Sequence, residues 1–143
     1  MAESGEGAPV NRPERSFWEV VDELRERSPR YPREAYGFVV AALASTVGEL
    51  PRERREDPLR RHLSGPELVE GVIRLARREF GDLSEIVFRE WNVTSSEDIG
   101  RIVFELVESG QLSARPEDRL EDFVVARELM ASLASRPRAP AGG

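Results

Sequence analysis

The sequence predicts a single all-α domain, or one nearly all-α, of about six helices, and three observations support that prediction. Apolar residues recur with the three- and four-residue spacing of an amphipathic helix in about six segments. Ser-x-x-Glu pairs, which form capping boxes at helix N-termini, precede two of these segments. No convincing run alternates apolar and polar residues with the two-residue period of a strand.

The first two helices are expected in the N-terminal third of the chain. A capping box of Ser16 and Glu19 precedes the first helix, and the prolines within residues 28–32 end it because proline lacks an N–H donor. The second helix is apolar on nearly all sides, so we expect it at the centre of the fold. The two apolar stripes consist of Phe17, Val20, Val21 and Leu24, and of Tyr36, Val39, Val40, Leu43 and Val47.

Residues 49–62 are the least core-like internal stretch. They contain two prolines and five arginines, and no periodic apolar stripe. We interpret the stretch as an exposed connection with room for a short helical turn. Its length is unusual for a compact domain, which favours a functional or mobile role.

Three more helices are expected between residue 66 and Gly110. Ser64 and Glu67 form a second capping box before the third helix, which ends at Gly81. Asp82 and Glu85 begin the fourth helix, and Thr94 and Glu97 open the fifth, which ends at Gly110. The predicted inner residues of the three helices are, in order, Val69, Val72, Ile73, Ala76 and Phe80; Leu83, Ile86 and Val87, with Trp91 a further candidate; and Ile99, Ile102, Val103, Leu106 and Val107.

The C-terminal part is predicted to hold a loop, or a short strand and turn, at residues 111–119, followed by a sixth helix. That helix is marked by the spacing of Phe123, Ala126, Met130 and Leu133. We therefore expect one helical domain over residues 16–135. Residues 1–15 and 136–143 are predicted to be disordered tails, since they have too few large apolar side chains to offset the entropy of ordering.

The composition excludes several classes of site. The chain has no cysteine, which rules out disulfides, thiolate metal sites and thiol catalysis. No apolar run approaches the roughly 18 residues of a membrane span, and the N-terminus does not have the charged and apolar regions of a signal peptide. We expect a cytoplasmic protein with no membrane partner, no metal site and no cofactor.

Residues 66–125 also have the element order of a winged helix-turn-helix unit: a helix, a short helix, a tight turn, a longer helix and a candidate wing. The charge of the candidate recognition helix argues against DNA. Residues 95–109 contain four acids and one arginine, a net charge of −3 that would repel a phosphate backbone. The chain as a whole carries −6. A winged-helix-like module used for protein contact is the preferred interpretation.

The candidate interaction surface is the polar side of the fifth helix. We expect Glu97, Asp98, Arg101 and Glu105 to face water while the aliphatic side holds the domain together. Asp98 also suits a helix start, where free N–H groups and the helix dipole favour a carboxylate. Trp91 joins this surface if it is exposed, because tryptophan is enriched among interface hot spots.

A candidate polar cluster consists of Arg30, Tyr31, Tyr36, Arg61 and His62. Its guanidinium groups would bind an anion or a carboxylate. The alternative, which we favour, is that both tyrosines pack at the edge of the core and hydrogen-bond through their hydroxyls. The single histidine would need a partner and a pocket to act as a general base. We predict no catalytic residue, since no phosphate loop, metal motif or nucleophile elbow occurs.

Short motifs follow one another in a recognisable order. RY at 30–31 precedes AYGFV at 35–39, RHLSGPEL at 61–68 comes next, and DIGRIVF stands at 98–104. Over about residues 16–125 this order resembles the Minf-type family of small uncharacterised bacterial proteins. The chain departs from the expected pattern at 92–93, where Asn-Val stands for Gly-Ile, and at Ile99, where phenylalanine is expected. The resemblance implies a bacterial protein and no particular reaction.

The function expected from these residues is that of a non-enzymatic protein-interaction or regulatory module, with another protein as the partner. Two alternatives stay open. The first is nucleic-acid binding through the arginines of residues 52–61 and of the third helix. The second is an enzyme that uses His62, Tyr31 and Tyr36 together with arginines to bind an anion.

Overall fold

The computed structural model describes residues 16–112, 121–124 and 127–134. Within these ranges every regular element is a helix and there is no strand, which confirms the predicted all-α class. None of the described helices is both long enough and apolar enough to cross a membrane. The elements are α1 (Phe17–Arg27), α2 (Arg33–Gly48), α3 (Arg52–Arg55), α4 (Gly65–Phe80), a 3₁₀ turn (Gly81–Leu83), α5 (Ser84–Glu90), α6 (Ser96–Glu108), α7 (Glu121–Val124) and α8 (Leu129–Ala134).

The helix starts follow local side-chain chemistry. Both predicted capping boxes are confirmed, one formed by Ser16 and Glu19 at α1 and the other by Ser64 and Glu67 at α4. The predicted start of α6 was wrong by one residue. Ser95 is the N-cap and Asp98 occupies the third helical position, because the Ser95 hydroxyl accepts the Asp98 N–H at 3.2 Å.

The region after α6 is described in two pieces. The predicted sixth helix is present as α7 and α8, in which Phe123 and Leu133 are buried. Ala126 lies outside the described residues, as do most of the predicted loop or wing at 111–119 and both predicted tails. Helices α4, α5 and α6 follow in the order of a helix-turn-helix, and the winged-helix comparison stays a prediction.

The centre of the fold is the pair formed by α2 and α4. α4 also packs against α5, α6, α7 and α8, so it is surrounded by the rest of the domain. Gly71 of α4 lies directly against Thr46 of α2 and permits the close approach of the two helices. Side chains of the buried stripes fill the space around this contact, including Val39, Ala42, Val69, Val72 and Ala76.

An aromatic cluster fixes α5 to α2 and α4. It consists of Phe38, Phe80, Phe88 and Trp91, whose ring centroids lie between 5.2 and 5.8 Å apart in five of the pairs. Such offset and edge-to-face contacts stabilise a cluster beyond the area that it buries. The turn that follows is tight, with Asn92 at φ 61° and the Val93 N–H bonded to the Phe88 carbonyl oxygen.

Candidate functional site

Two buried tyrosines donate hydrogen bonds to carboxylates of α6. The Tyr31 hydroxyl donates to Asp98 Oδ1 at 2.6 Å, and the Tyr36 hydroxyl donates to Glu105 Oε1. The two rings stand edge to face, with centroids 6.3 Å apart. Because Asp98 and Glu105 are two turns apart on α6, they lie on the same side of that helix. The favoured interpretation of the tyrosines, at the edge of the core and bonded through their hydroxyls, agrees with this geometry.

The prediction that α6 turns its acids to water was wrong for Asp98. Its exposed fraction is only 6 %. Besides the Tyr31 hydroxyl, the carboxylate accepts the N–H groups of Thr94 and Ser95, at 2.9 and 3.1 Å. A carboxylate that accepts several hydrogen bonds can be buried, because these donors replace its water.

The other residues of the predicted interaction surface are also engaged within the domain. Glu105 is half-buried and holds Tyr36. Arg101 forms ion pairs with Glu97 at 3.2 Å and with Asp98 at 3.3 Å. Trp91 is half-buried in the aromatic cluster. The predicted set of Trp91, Glu97, Asp98, Arg101 and Glu105 therefore has contacts within the domain, while α6 keeps its net negative charge.

The titration of this network is shifted in a consistent direction. Burial, followed by the neighbouring Asp98 carboxylate, raises the pKa of Tyr31 to about 12. Burial and Glu105 likewise raise the pKa of Tyr36 well above its ordinary range. Burial alone would raise the pKa of Asp98, but the hydrogen bonds from Tyr31, Thr94 and Ser95 outweigh it and lower that pKa. At neutral pH both phenols are protonated donors and Asp98 is ionised, which suits a structural network rather than acid–base chemistry.

The predicted polar cluster divides into two groups. Arg30, Tyr31 and Tyr36 lie at the α6 network, where a hydrogen bond from Arg30 acts to lower the pKa of Tyr31. Arg61 and His62 line a cavity at another part of the fold, and neither tyrosine is among its lining residues. The division follows from α2, because Tyr36 is in its first turn and Tyr31 lies just before it, whereas the cavity lies along its later residues.

The cavity has a volume of about 220 Å³ and lies between α2, α4, α6 and α7. Its walls are mainly aliphatic and aromatic, and Arg61, His62, Ser64 and Asp122 supply polar groups. His62 Nδ1 is closed to solvent and has no hydrogen-bond partner among the described residues. An unpaired buried nitrogen lowers the stability of a fold by about 1–3 kcal/mol. The unpaired Nδ1 atom is therefore a destabilising feature of the protein beside the cavity.

Arg54 fixes the backbone that carries Arg61 and His62. Its guanidinium binds both oxygens of Glu67, at 2.6 and 2.8 Å, and donates to the carbonyl oxygens of residues 60 and 62. The hydrogen bonds from Arg54 lower the pKa of Glu67 to about 2, although burial opposes the shift. The arginine-rich connection is thereby attached to the start of α4, and one wall of the cavity is held in place.

Leu83 and Ile86 were predicted to be inner residues, and that prediction was wrong. Each is 59 % exposed, whereas α5 buries Ser84 and Phe88. The Ser84 hydroxyl donates to the Ala76 carbonyl oxygen at 3.0 Å, which turns this side of α5 toward α4. A signal was present in the sequence, since residues 84, 88 and 91 have helical spacing and end in two aromatic residues.

The surroundings of this exposed pair are acidic. Residues 78–90 contain four acids and two arginines, a net charge of −2. One of the arginines, Arg89, is paired with Glu85 at 2.8 Å. We call the exposed side chains of Leu83 and Ile86 the α5 patch. It is an apolar surface within a negatively charged region.

Two other large apolar side chains are exposed and differ from the α5 patch. Trp18 is 41 % exposed, but its ring packs on Gly37 and lies under the Arg33 guanidinium, 4.6 Å from the ring centroid. Leu59 is 82 % exposed in the connection before α4. Single exposed side chains of this kind are common on protein surfaces.

Side chains of the kinds that bind metals lie apart from one another in the part of the chain that the structure describes. There, no three His, Cys, Asp or Glu side chains lie close enough together to hold a metal ion. The cavity contributes the polar groups of Arg61, His62, Ser64 and Asp122. The arrangement can bind a ligand.

Comparison with known proteins was negative at each level. No protein family, curated protein or solved structure matches the chain.

Proposed function

We propose that this protein is a non-enzymatic module that binds another protein through the α5 patch. The exposure of Leu83 and Ile86 supports the proposal, since each keeps 59 % of its surface in water on one short helical segment. Covering both side chains would stabilise a complex by about 1–2 kcal/mol for each of them. Large apolar side chains exposed side by side are typical of protein interaction sites.

The charge around the α5 patch favours one class of partner. Residues 78–90 have a net charge of −2, and the chain as a whole has −6. A partner segment with apolar side chains flanked by arginine or lysine would match both the apolar pair and its acidic surroundings. The occupant that we propose is a basic amphipathic helix of another protein.

The base of the α5 patch is rigid, which favours tight binding. Phe88 is buried on the opposite side of α5, and Trp91 follows it within the aromatic cluster. A surface held by packed rings loses little conformational entropy when a partner binds. Leu83 and Ile86 are therefore presented in a nearly fixed position.

The two alternative functions have less support. Several arginines that would contact the phosphates of a nucleic acid already form ion pairs within the protein. These are Arg52 with Glu56, Arg54 with Glu67 and Arg74 with Glu49. An enzyme built on His62, Tyr31 and Tyr36 would need these residues at one site, whereas they are divided between the cavity and the α6 network. The cytoplasmic location, the winged-helix unit and the Minf-type resemblance remain part of the proposal and rest on the sequence.

Selection of peptides from a random display library against the full chain tests this proposal. We expect the enriched peptides to combine large apolar residues with arginine or lysine, and to bind more weakly as salt is added. The Leu83→Ser/Ile86→Ser variant should lower their affinity at least about tenfold. Leu59→Ser is the matched control, because it removes an exposed leucine elsewhere, and it should bind as the wild type does.

The thermal unfolding of both variants should match that of the wild type, since the substituted side chains are exposed. Selected peptides that bind the Leu83→Ser/Ile86→Ser variant with unchanged affinity would exclude the α5 patch as the binding surface. Enrichment of acidic peptides would contradict the proposed class of partner.

A further inference from the structure

We infer that the cavity between α2, α4, α6 and α7 is a second binding site, and that its ligand is a small apolar carboxylic acid. The site is separate from the α5 patch, because neither Leu83 nor Ile86 lines the cavity. The inference rests on three features of the cavity: its size, its apolar walls and the basic residues at one side.

The size of the cavity sets the size of the ligand. The cavity opens to solvent and has a volume of about 220 Å³. An apolar cavity of about 150 Å³ in another protein accepts benzene. The present cavity therefore has room for one six-membered ring with one or two further carbons.

The walls determine what fills the interior. Val39, Leu43 and Val47 of α2 form one side, and Leu68, Phe104 and Phe123 lie on the others. The two phenylalanine rings stand edge to face, with centroids 6.1 Å apart. None of these side chains can form a hydrogen bond, so the buried part of the ligand must be a hydrocarbon.

The start of α4 lies close to α7 at one border of the cavity. A Cβ atom on Gly65 would lie 3.1 Å from the backbone carbonyl oxygen of Asp122. This close contact joins the two elements directly, so the wall they form has a defined shape. A cavity with fixed walls selects a ligand whose shape matches it and binds other apolar molecules more weakly.

The basic residues indicate the charge of the ligand. Arg61 lines the cavity and is exposed, and it has no ion pair among the described residues, in contrast to Arg54. A guanidinium in this state can bind a carboxylate through two parallel hydrogen bonds. Asp122 also lines the cavity, but it has an interaction of its own.

His62 supplies the second polar contact. Its Nδ1 atom is buried and has no partner among the described residues, although the residue itself lines the cavity. A ligand carboxylate beside Arg61 could accept a hydrogen bond from this ring when the proton is on Nδ1, and would give that nitrogen the partner that it does not have among the described residues.

Isothermal titration calorimetry of the full chain with phenylacetate tests the inference. We expect saturable binding at one site, and weaker binding of phenylacetamide, which has the same shape without the charge. Arg61→Gln should weaken phenylacetate binding about three- to tenfold and leave phenylacetamide unchanged. Arg60→Gln is the matched control, since Arg60 is exposed beside Arg61 and does not line the cavity.

A second pair of variants tests the location. Val103→Phe and Leu43→Phe each place a larger side chain at the cavity wall. A variant of this pair that keeps the wild-type unfolding temperature should bind neither phenylacetate nor phenylacetamide. The Leu83→Ser/Ile86→Ser variant should bind phenylacetate normally, so a failure of the α5 patch and a failure of this site are distinguishable. Absence of saturable phenylacetate binding, or an affinity unchanged by Arg61→Gln, would overturn the inference.

Discussion

Gly71 of α4 faces Thr46 of α2 so closely that a Cβ atom on residue 71 would lie 1.9 Å from Thr46 Oγ1. The Thr46 hydroxyl donates to the Ala42 carbonyl oxygen at 2.7 Å, so its position is held by its own helix. A methyl group at residue 71 therefore requires the Thr46 side chain or the two helices to move. This contact therefore sets the distance between the central helices, on which the cavity and the α6 network depend.

Gly71→Ala should lower the free energy of unfolding by about 2–3 kcal/mol, because an inserted methyl group in a packed helix contact is expensive. Gly48→Ala is the matched control. Gly48 is the last residue of α2, and a Cβ there would meet no atom within 4 Å. That change should be neutral or stabilise by up to about 1 kcal/mol through helix propensity.

Urea denaturation measures both effects. Adding Thr46→Ala to Gly71→Ala should recover part of the loss, since it removes the oxygen that the new methyl group would strike. A Gly71→Ala protein as stable as the wild type would mean that α2 and α4 are farther apart than described.

Tyr31→Phe should destabilise the protein more than Tyr36→Phe does. Tyr31 donates a hydrogen bond to the buried Asp98 carboxylate. Tyr36 donates one to Glu105, which is only half-buried and can be reached by water. Losing a donor to a buried carboxylate costs about 1–3 kcal/mol, and an ordinary hydrogen bond about 0.5–1.5 kcal/mol. Denaturant unfolding at pH 7 compares the two variants, and an equal loss would show that Asp98 is not specially dependent on Tyr31.

The pH dependence of stability provides a separate test of the Tyr31–Asp98 pair. The pKa of Asp98 is lower in the folded protein than its ordinary value of 3.8, so its ionised form stabilises the fold above that pH. The stability is lost as the pH falls through the lowered pKa. Without the Tyr31 hydroxyl the pKa of Asp98 should rise, and a carbon-13 titration of its carboxyl group measures the shift. A pKa unchanged by Tyr31→Phe would contradict the assignment.

Glu67→Gln should destabilise the protein by about 1 kcal/mol or less, because the glutamine keeps the cap but loses the ion pair with Arg54. The pKa of Glu67 is lowered to about 2 from 4.5. The ion pair therefore contributes fully above pH 4.5 and is lost between pH 4.5 and 2.

The equivalent change at the other capping box is the control for this prediction. Glu19 caps α1 by the same hydrogen bond, 3.0 Å from the Ser16 N–H, and it has no arginine partner among the described residues. Glu19→Gln should have little effect on stability or on its dependence on pH. Acid titration of unfolding in both variants measures the difference, and equal behaviour of the two would exclude a stabilising role of Arg54.

Residues close together in the sequence were enough to predict where the helices begin. They were not enough to predict which side chains are exposed at the surface. The capping boxes at Ser16 and Ser64 each depend on two residues three positions apart, so they can be recognised in the sequence. The partner of Asp98 is 67 positions away, and nothing near Asp98 in the chain indicates Tyr31. The charged face expected on α6 was therefore in part a buried network.

The short helix α5 shows a second limit of sequence analysis. Its seven residues and the turn before them fit two apolar stripes, one with Leu83 and Ile86 and the other with Phe88 and Trp91, and we expected the first to face the core. The 3₁₀ turn before it and the hydrogen bond of Ser84 to Ala76 place the other stripe inside. The cavity could not be predicted at all, because it is formed by residues from five parts of the chain.

Methyl NMR of the protein with a peptide enriched in the display experiment tests the central claim most directly. The methyl groups of Leu83 and Ile86 should shift on binding, while those of the control Leu59 stay in place. Shifts confined to α6, near Ile99 and Val103, with Leu83 and Ile86 unchanged, would contradict binding at the α5 patch. Such a result would place the interaction surface on α6, as the sequence predicts.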